Sequence, residues 1–196
     1  MTRLLRIGTA LALAASVCGC SLLGGGKTPD TLYTLTPEAP FTAQTRSVAV
    51  GQTVTIRTPV VPKELRVLRV PVQVSPTNVE YVTDLQWVDT PDKLFQKLVE
   101  ETVRRKTARV VLDPAQASLD PGLVVTGELN RFGYDAQTGM VVVQYDAAMA
   151  TQGGTHVENR RFESTIPSSP DAANVGTMLN AAANRVATEV AAWIGG

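Results

Sequence analysis

The chain has 196 residues, with 18 basic and 18 acidic side chains, one histidine and two cysteines. A net charge of zero removes the electrostatic basis for nucleic-acid binding and for a polybasic patch on anionic lipid. A lone histidine cannot complete a metal site or a thiol–imidazole pair. With no Gly-x-Ser-x-Gly, phosphate loop or His-Glu-x-x-His present, the expectation is a protein with no catalytic residues, no cofactor and no metal.

The first segment is the most specific. Arg3 and Arg6 precede an uncharged apolar run from Ile7 to Val17, and Gly19 stands before Cys20. The run is too short to span a bilayer, which takes about 20 apolar residues. It has the layout of a secretory signal, and its end resembles a bacterial lipobox. Residues 1–19 then read as the leader, with Cys18 on the discarded side and Cys20 as the lipidated first residue. Acyl chains contribute about 0.8 kcal/mol per buried methylene, so several give durable attachment. Ser21 after the cysteine resembles the signal for export to the outer membrane, facing the periplasm. Residues 20–30 hold three consecutive glycines and Pro29 and read as a flexible tether. Its reach is roughly 17 Å on average and about 35 Å fully stretched. With no second thiol after Cys20, residues 31–196 must fold as one domain on their own core.

Strand signals come next. Thr31–Thr36 is rich in β-formers and stops at Pro37. Ser47–Thr58 alternates around Gly51, which suggests a bend. Leu65–Val74 alternates again, and Pro71 within it predicts an edge strand. Asn78–Thr83 is a further extended piece. Thr90-Pro91-Asp92 then marks a helix start, with Thr90 as cap. Leu94, Phe95, Leu98, Val99, Thr102 and Val103 share one face of that helix. Arg104, Arg105 and Lys106 close it, and Arg109–Leu112 resumes as a strand.

Two long runs flank Asp135–Gly139 and predict a hairpin over Leu123–Ala150. Val141, Val143, Tyr145, Ala147 and Met149 lie on one face of its second strand, Gln144 and Asp146 on the other. His156–Ile166 adds a third strand, with Phe162 and Ile166 inward. Ser169-Pro170-Asp171 opens a last helix that should bury Val175, Met178, Leu179, Ala182, Val186, Val190 and Trp193 and end at Gly195. The pattern predicts an α+β fold, a mostly antiparallel sheet with two amphipathic helices packed on one face.

Few residues invite a functional reading. His156 reads as a surface residue of its strand, and Glu100-Glu101 as a solvated helix face, since adjacent helical positions point apart. Trp87 is either an exposed aromatic for a partner or a core plug before the first helix, and the plug is favoured. The apolar residues Val70, Val72 and Val74 could pair internally or wait for another subunit. Together with Trp87 they form the candidate partner surface.

The order of these features resembles one family. A lipobox is followed by Tyr33-Thr-Leu35, a Val-x-Val-Gly-x-x-Val-x-Ile segment from Val48 to Ile56, and Trp87 ahead of a capped helix. A long hairpin, a strand with Arg161-Phe162 and an alanine-rich terminal helix complete it. This resembles the ABC-type transport auxiliary lipoproteins, which include the PqiC lipoproteins. The likeness implies an accessory role beside a permease, an ATPase and an MCE-type periplasmic protein that move lipids between two membranes. Competing readings are a structural or assembly lipoprotein of an outer-membrane or secretion complex, and a lipid carrier with its own cavity. Homo-oligomers fit any of these.

Overall fold

The computed structural model describes residues 31–41, 52–115, 122–151 and 156–195, and the leader, Cys20 and the tether lie outside them. The described residues all fall within the unit Thr31–Gly196. Their strands are β1 (Thr53–Ile56), β2 (Arg69–Ser75), β3 (Asn78–Gln86), β4 (Val110–Leu112), β5 (Leu123–Asp135), β6 (Met140–Ala150) and β7 (Val157–Pro167). Helix α1 covers Pro91–Lys106 and α2 covers Ala172–Gly195, and a single 3₁₀ turn spans Lys63–Leu65. Residues 47–51 of the Ser47–Thr58 expectation fall outside the described residues. The expected Thr31–Thr36 strand contracts to one parallel bridge, Tyr33 with Trp87.

The hairpin forms as its sequence predicts. Asp135 Oδ1 accepts the amides of Gln137 and Thr138 at 3.0 and 3.2 Å, a turn its short carboxylate makes locally. Gly139 completes it at φ 68°, a left-handed conformation that suits glycine. β5 and β6 pair antiparallel from Asp135↔Met140 to Val124↔Ala150, and β7 continues the meander against β6.

The rest of the sheet corrects the antiparallel expectation to a mixed one. β1 runs parallel to both β4 and β5, and β2 parallel to β5. Parallel neighbours need long crossovers and leave no local turn signature in the sequence. One side of β5 is thus shared: β1 pairs near Leu123–Val125, Val60 bridges Glu128, and β2 pairs at Tyr134–Asp135.

β2 is not an edge strand, contrary to the expectation from Pro71. It lies between β3 and β5. Pro71 is tolerated because its pairing to β3 is irregular between Arg69 and Pro71, and the ladder to β5 begins only at Val72. The same irregularity bulges β3 around Asp84, which sits at φ 57°. The bulge changes the alternation so that Val82, Leu85 and Trp87 all face inward.

Both helices cover one face of the sheet. Phe95 of α1 meets Tyr145 edge-on at 5.1 Å and Trp193 of α2 meets Phe162 at 5.5 Å. Tyr145 and Phe162 are register partners on neighbouring strands, so they share a face. Every apolar residue expected on the buried face of α1 is buried. Its cap differs in detail: Thr90 holds the N-cap position, but its side chain makes no cap hydrogen bond. The neighbouring Asp89 accepts the Thr90 amide at 2.8 Å and pairs with Lys93. At α2 the capping residue is Asp171, whose Oδ1 accepts the Asn174 amide at 3.0 Å. The helix therefore starts two residues later than Ser169 implies.

α2 buries Val175, Leu179, Ala182, Val186 and Val190 as expected, and Ile194 and three further alanines besides. Met178 and Trp193 are only partly buried. Gly176 lets the Tyr33 ring approach: a Cβ there would stand 2.6 Å from the ring. Gly176→Val should therefore destabilise the fold by about 1–3 kcal/mol through overpacking, more than the few tenths that valine gains over glycine in helix propensity. Urea unfolding of the variant measures this directly.

Candidate functional site

The described chain begins with an extended strap, residues 31–41. From Tyr33 to Ala39 its odd-numbered residues are half-buried and its even-numbered ones exposed. Tyr33 donates its amide to the Gln86 carbonyl at 2.8 Å and accepts the Val88 amide at 2.9 Å. Tyr33 and Leu35 both pack on the core. Beyond Leu35 the strap is held by side chains of α2. Asn180 Oδ1 accepts the Thr36 amide at 2.8 Å, and Asn184 Oδ1 accepts the Glu38 amide at 2.9 Å. The Asn184 Nδ2 donates to the carbonyls of Thr36 and Asn180, each at 2.9 Å. Arg105 of α1 then donates to the Ala39 carbonyl at 2.7 Å and lies over the exposed Phe41 ring.

One turn apart on a helix, Asn180 and Asn184 face the same way. They do for the strap what a neighbouring strand would do, meeting its amides and carbonyls at alternate positions. Asn184 is itself buried. Sequence reasoning passed over this pair. The available signal was two asparagines at i, i+4 on an otherwise alanine and valine helix face, where polar side chains need partners.

The candidate partner surface is dispersed by the fold. Val70 and Trp87 are fully buried, while Val72 and Val74 are half-buried in a strand that already has two neighbours. Trp87 packs on Phe132 at 5.6 Å as the core plug, and its indole N–H has no acceptor. Neither Val70 nor Trp87 offers a docking face, because strand pairing and helix cover have enclosed both.

His156 is exposed just before β7, with Nε2 2.9 Å from Glu158. Glu158 also accepts the Trp193 indole N–H at 3.1 Å. These two bonds, His156 first, hold its carboxyl below the usual range. Glu100 departs from the fully solvated expectation: partial burial pushes its carboxyl upward against the pull of Arg104. Among the described residues no group of His, Cys, Asp and Glu is placed to hold a metal ion.

On the uncovered face of the sheet, Glu128, Asp146 and Arg161 line up across β5, β6 and β7. Arg161 grips Asp146 through both oxygens at 2.6 and 2.7 Å, and Asn130 adds a bond at 2.9 Å. The Arg161 guanidinium keeps the Asp146 carboxyl below its usual range. An open groove of about 710 Å³ runs here, with Glu128, Asp146, Arg160 and Arg161 in its wall. Sinking an acyl chain into it would strip water from the charged groups of Glu128, Asp146 and Arg161. A second recess, beneath Pro71 and Val142, holds only about 40 Å³. The buried hydroxyl of Tyr145, its pKa raised by desolvation, sits within the core and not in a cleft.

The described residues form an α+β body whose apolar side chains build one continuous core. The chain belongs to the family of ABC-type transport auxiliary lipoprotein components, whose model matches residues 33–191. The protein XCC0632 from Xanthomonas campestris has a similar structure, with a TM-score of 0.68 at 18% identity over 84% of this chain and 95% of that one. The crystal structure of an uncharacterized protein overlays with a TM-score of 0.62 at 13% identity, over 84% and 99% of the two chains. At such identities the likeness is one of fold. No curated protein sequence matches the chain significantly. Among the described residues no helix is long and apolar enough to cross a membrane, and the family implies attachment through lipid.

Removing Asn184 strands the Glu38 amide and the Thr36 carbonyl. Asn184→Ala should cost about 1–3 kcal/mol and render residues 36–41 sensitive to limited proteolysis while the hairpin stays protected. Peptide mapping of the early fragments reads this out.

Proposed function

We propose that this chain is a non-catalytic lipoprotein held in the outer membrane through acylated Cys20. Its body, residues 31–196, faces the periplasm and serves an MCE-type system that moves lipid between the membranes. The family supports the auxiliary role in ABC-type transport. The leader of residues 1–19, the lipobox ending at Cys20 and the choice of Ser21 support the anchor and its destination.

The observation that carries the reading is the strap. A tether of about ten residues would leave an unattached body free to tumble within roughly 17 Å of its anchor. Fixing residues 33–39 to both helices means that the pull of the anchor enters the fold at one place. Such an attachment sets where the tether leaves the body, and the flexible tether then lets the body tilt and search close to the membrane. The groove on the uncovered face, with charged side chains in its wall, suits protein contact better than lipid storage.

A tagged, acylated chain isolated from gently solubilised membranes should bring down an MCE-type protein with a permease and an ATPase. Cys20→Ser should abolish processing at the lipobox, leaving an unacylated precursor with its leader uncut and absent from the outer-membrane fraction. Recovery of a β-barrel or secretion component in their place would establish the assembly reading instead.

A further inference from the structure

An open sheet exposes backbone donors and acceptors along its outermost strands, and proteins blunt such edges with bulges, short strands, proline or charge. The outermost strands here are β3 and β4 on one side and β7 on the other. β3 carries its bulge and the left-handed Asp84, and β4 is three residues long. β7 lacks the bulge and the brevity that blunt the others, and its charges, Glu158, Arg160, Arg161 and Glu163, are of mixed sign. It is 11 residues long, its register with β6 is unbroken from Met140↔Pro167 to Ala150↔Val157, and its one proline is the last residue. Only β6 pairs with it among the described residues.

The geometry points to β7 as a homodimer edge, pairing antiparallel with β7 of a second copy about a twofold axis at Phe162. Charge selects the occupant and the register. A twofold axis through Phe162 sets Arg161 opposite the partner's Glu163, and Glu163 opposite the partner's Arg161. Axes through Arg160, Arg161 or Glu163 would each place like charges face to face, which destabilises a pair. Phe162 is also the midpoint of β7, so this register pairs the whole strand.

The charges are ready for it. Arg161 is already held in place by Asp146 on its own sheet. Glu163 stands opposite Gln144 and takes no ion pair among the described residues. Dimerisation would complete two rows, each reading Asp146, Arg161 and the partner's Glu163. On the helix side Phe162 is already covered by Trp193 and by Arg160, whose guanidinium lies 5.0 Å from the ring centre, so the ion pairs of the opposite face carry the pairing.

Symmetry agrees with the anchor. Points related by a rotation axis lie at the same height along it, so with the axis along the membrane normal both strap origins face one bilayer.

The test uses the acylated chain in native membranes. Asn159 and Thr165 oppose each other across the proposed axis, so Asn159→Cys with Thr165→Cys should give a dimer with a short bismaleimide. Asn159→Cys alone should not, since the two copies of that residue lie about 20 Å apart. Adding Glu163→Arg to the double variant should cut the yield about tenfold, as two attractive pairs become repulsive. All three positions are solvent-exposed, and near-ultraviolet dichroism checks that folding is kept. Absence of the dimer, equal cross-linking by the single-cysteine chain, insensitivity to Glu163→Arg, or capture of a different protein would each overturn the proposal.

Discussion

Val141, Val143, Tyr145 and Ala147 all turn to one side of β6, and that side is where α1 and α2 lie. With no disulfide among the described residues, burial of this one face carries the fold. The aromatic contacts Phe95–Tyr145, Phe162–Trp193 and Trp87–Phe132 fill the space between the layers. Each contributes about 0.5–1.5 kcal/mol beyond its buried area. Because that space is filled, polar and charged groups are displaced to the opposite face and to the sheet margins.

The strap links this packing to function. Tyr33 is part of the core contact, and Asn180 and Asn184 hold the next residues to α2. The segment from Tyr33 to Ala39 is thus fastened to the helical layer, and loosening either would disturb the other. The Asp146–Arg161 pair lies on the face of the sheet opposite the helices that hold the strap.

Local signals made much of this legible. The apolar face of α1 follows a 3.6-residue period without interruption, and all six residues read from it are buried. The β5–β6 hairpin announces itself through alternation and a glycine turn. Non-local features were harder to read. Pro71 looked like an edge residue because the bulge that accommodates it depends on β3. The parallel pairs of β1 and β2 depend on crossovers. Ser169 and Asp171 are both good capping residues, and only the packing of α2 decides between them. Trp87 as a core plug followed from its size. Val70 was left ambiguous because alternation cannot tell a paired strand from a waiting one. The Asn180–Asn184 clamp was missed because its partner, the strap, carries no pattern of its own beyond Tyr33 and Leu35.

The proposal rests on a body with a filled interior that works by contact, with lipid present only as its covalent anchor. Native mass spectrometry of the acylated protein released from detergent tests this most directly. The account predicts the mass of the chain plus its acyl groups and nothing else. A lipid retained non-covalently at one per chain through gentle activation would contradict it.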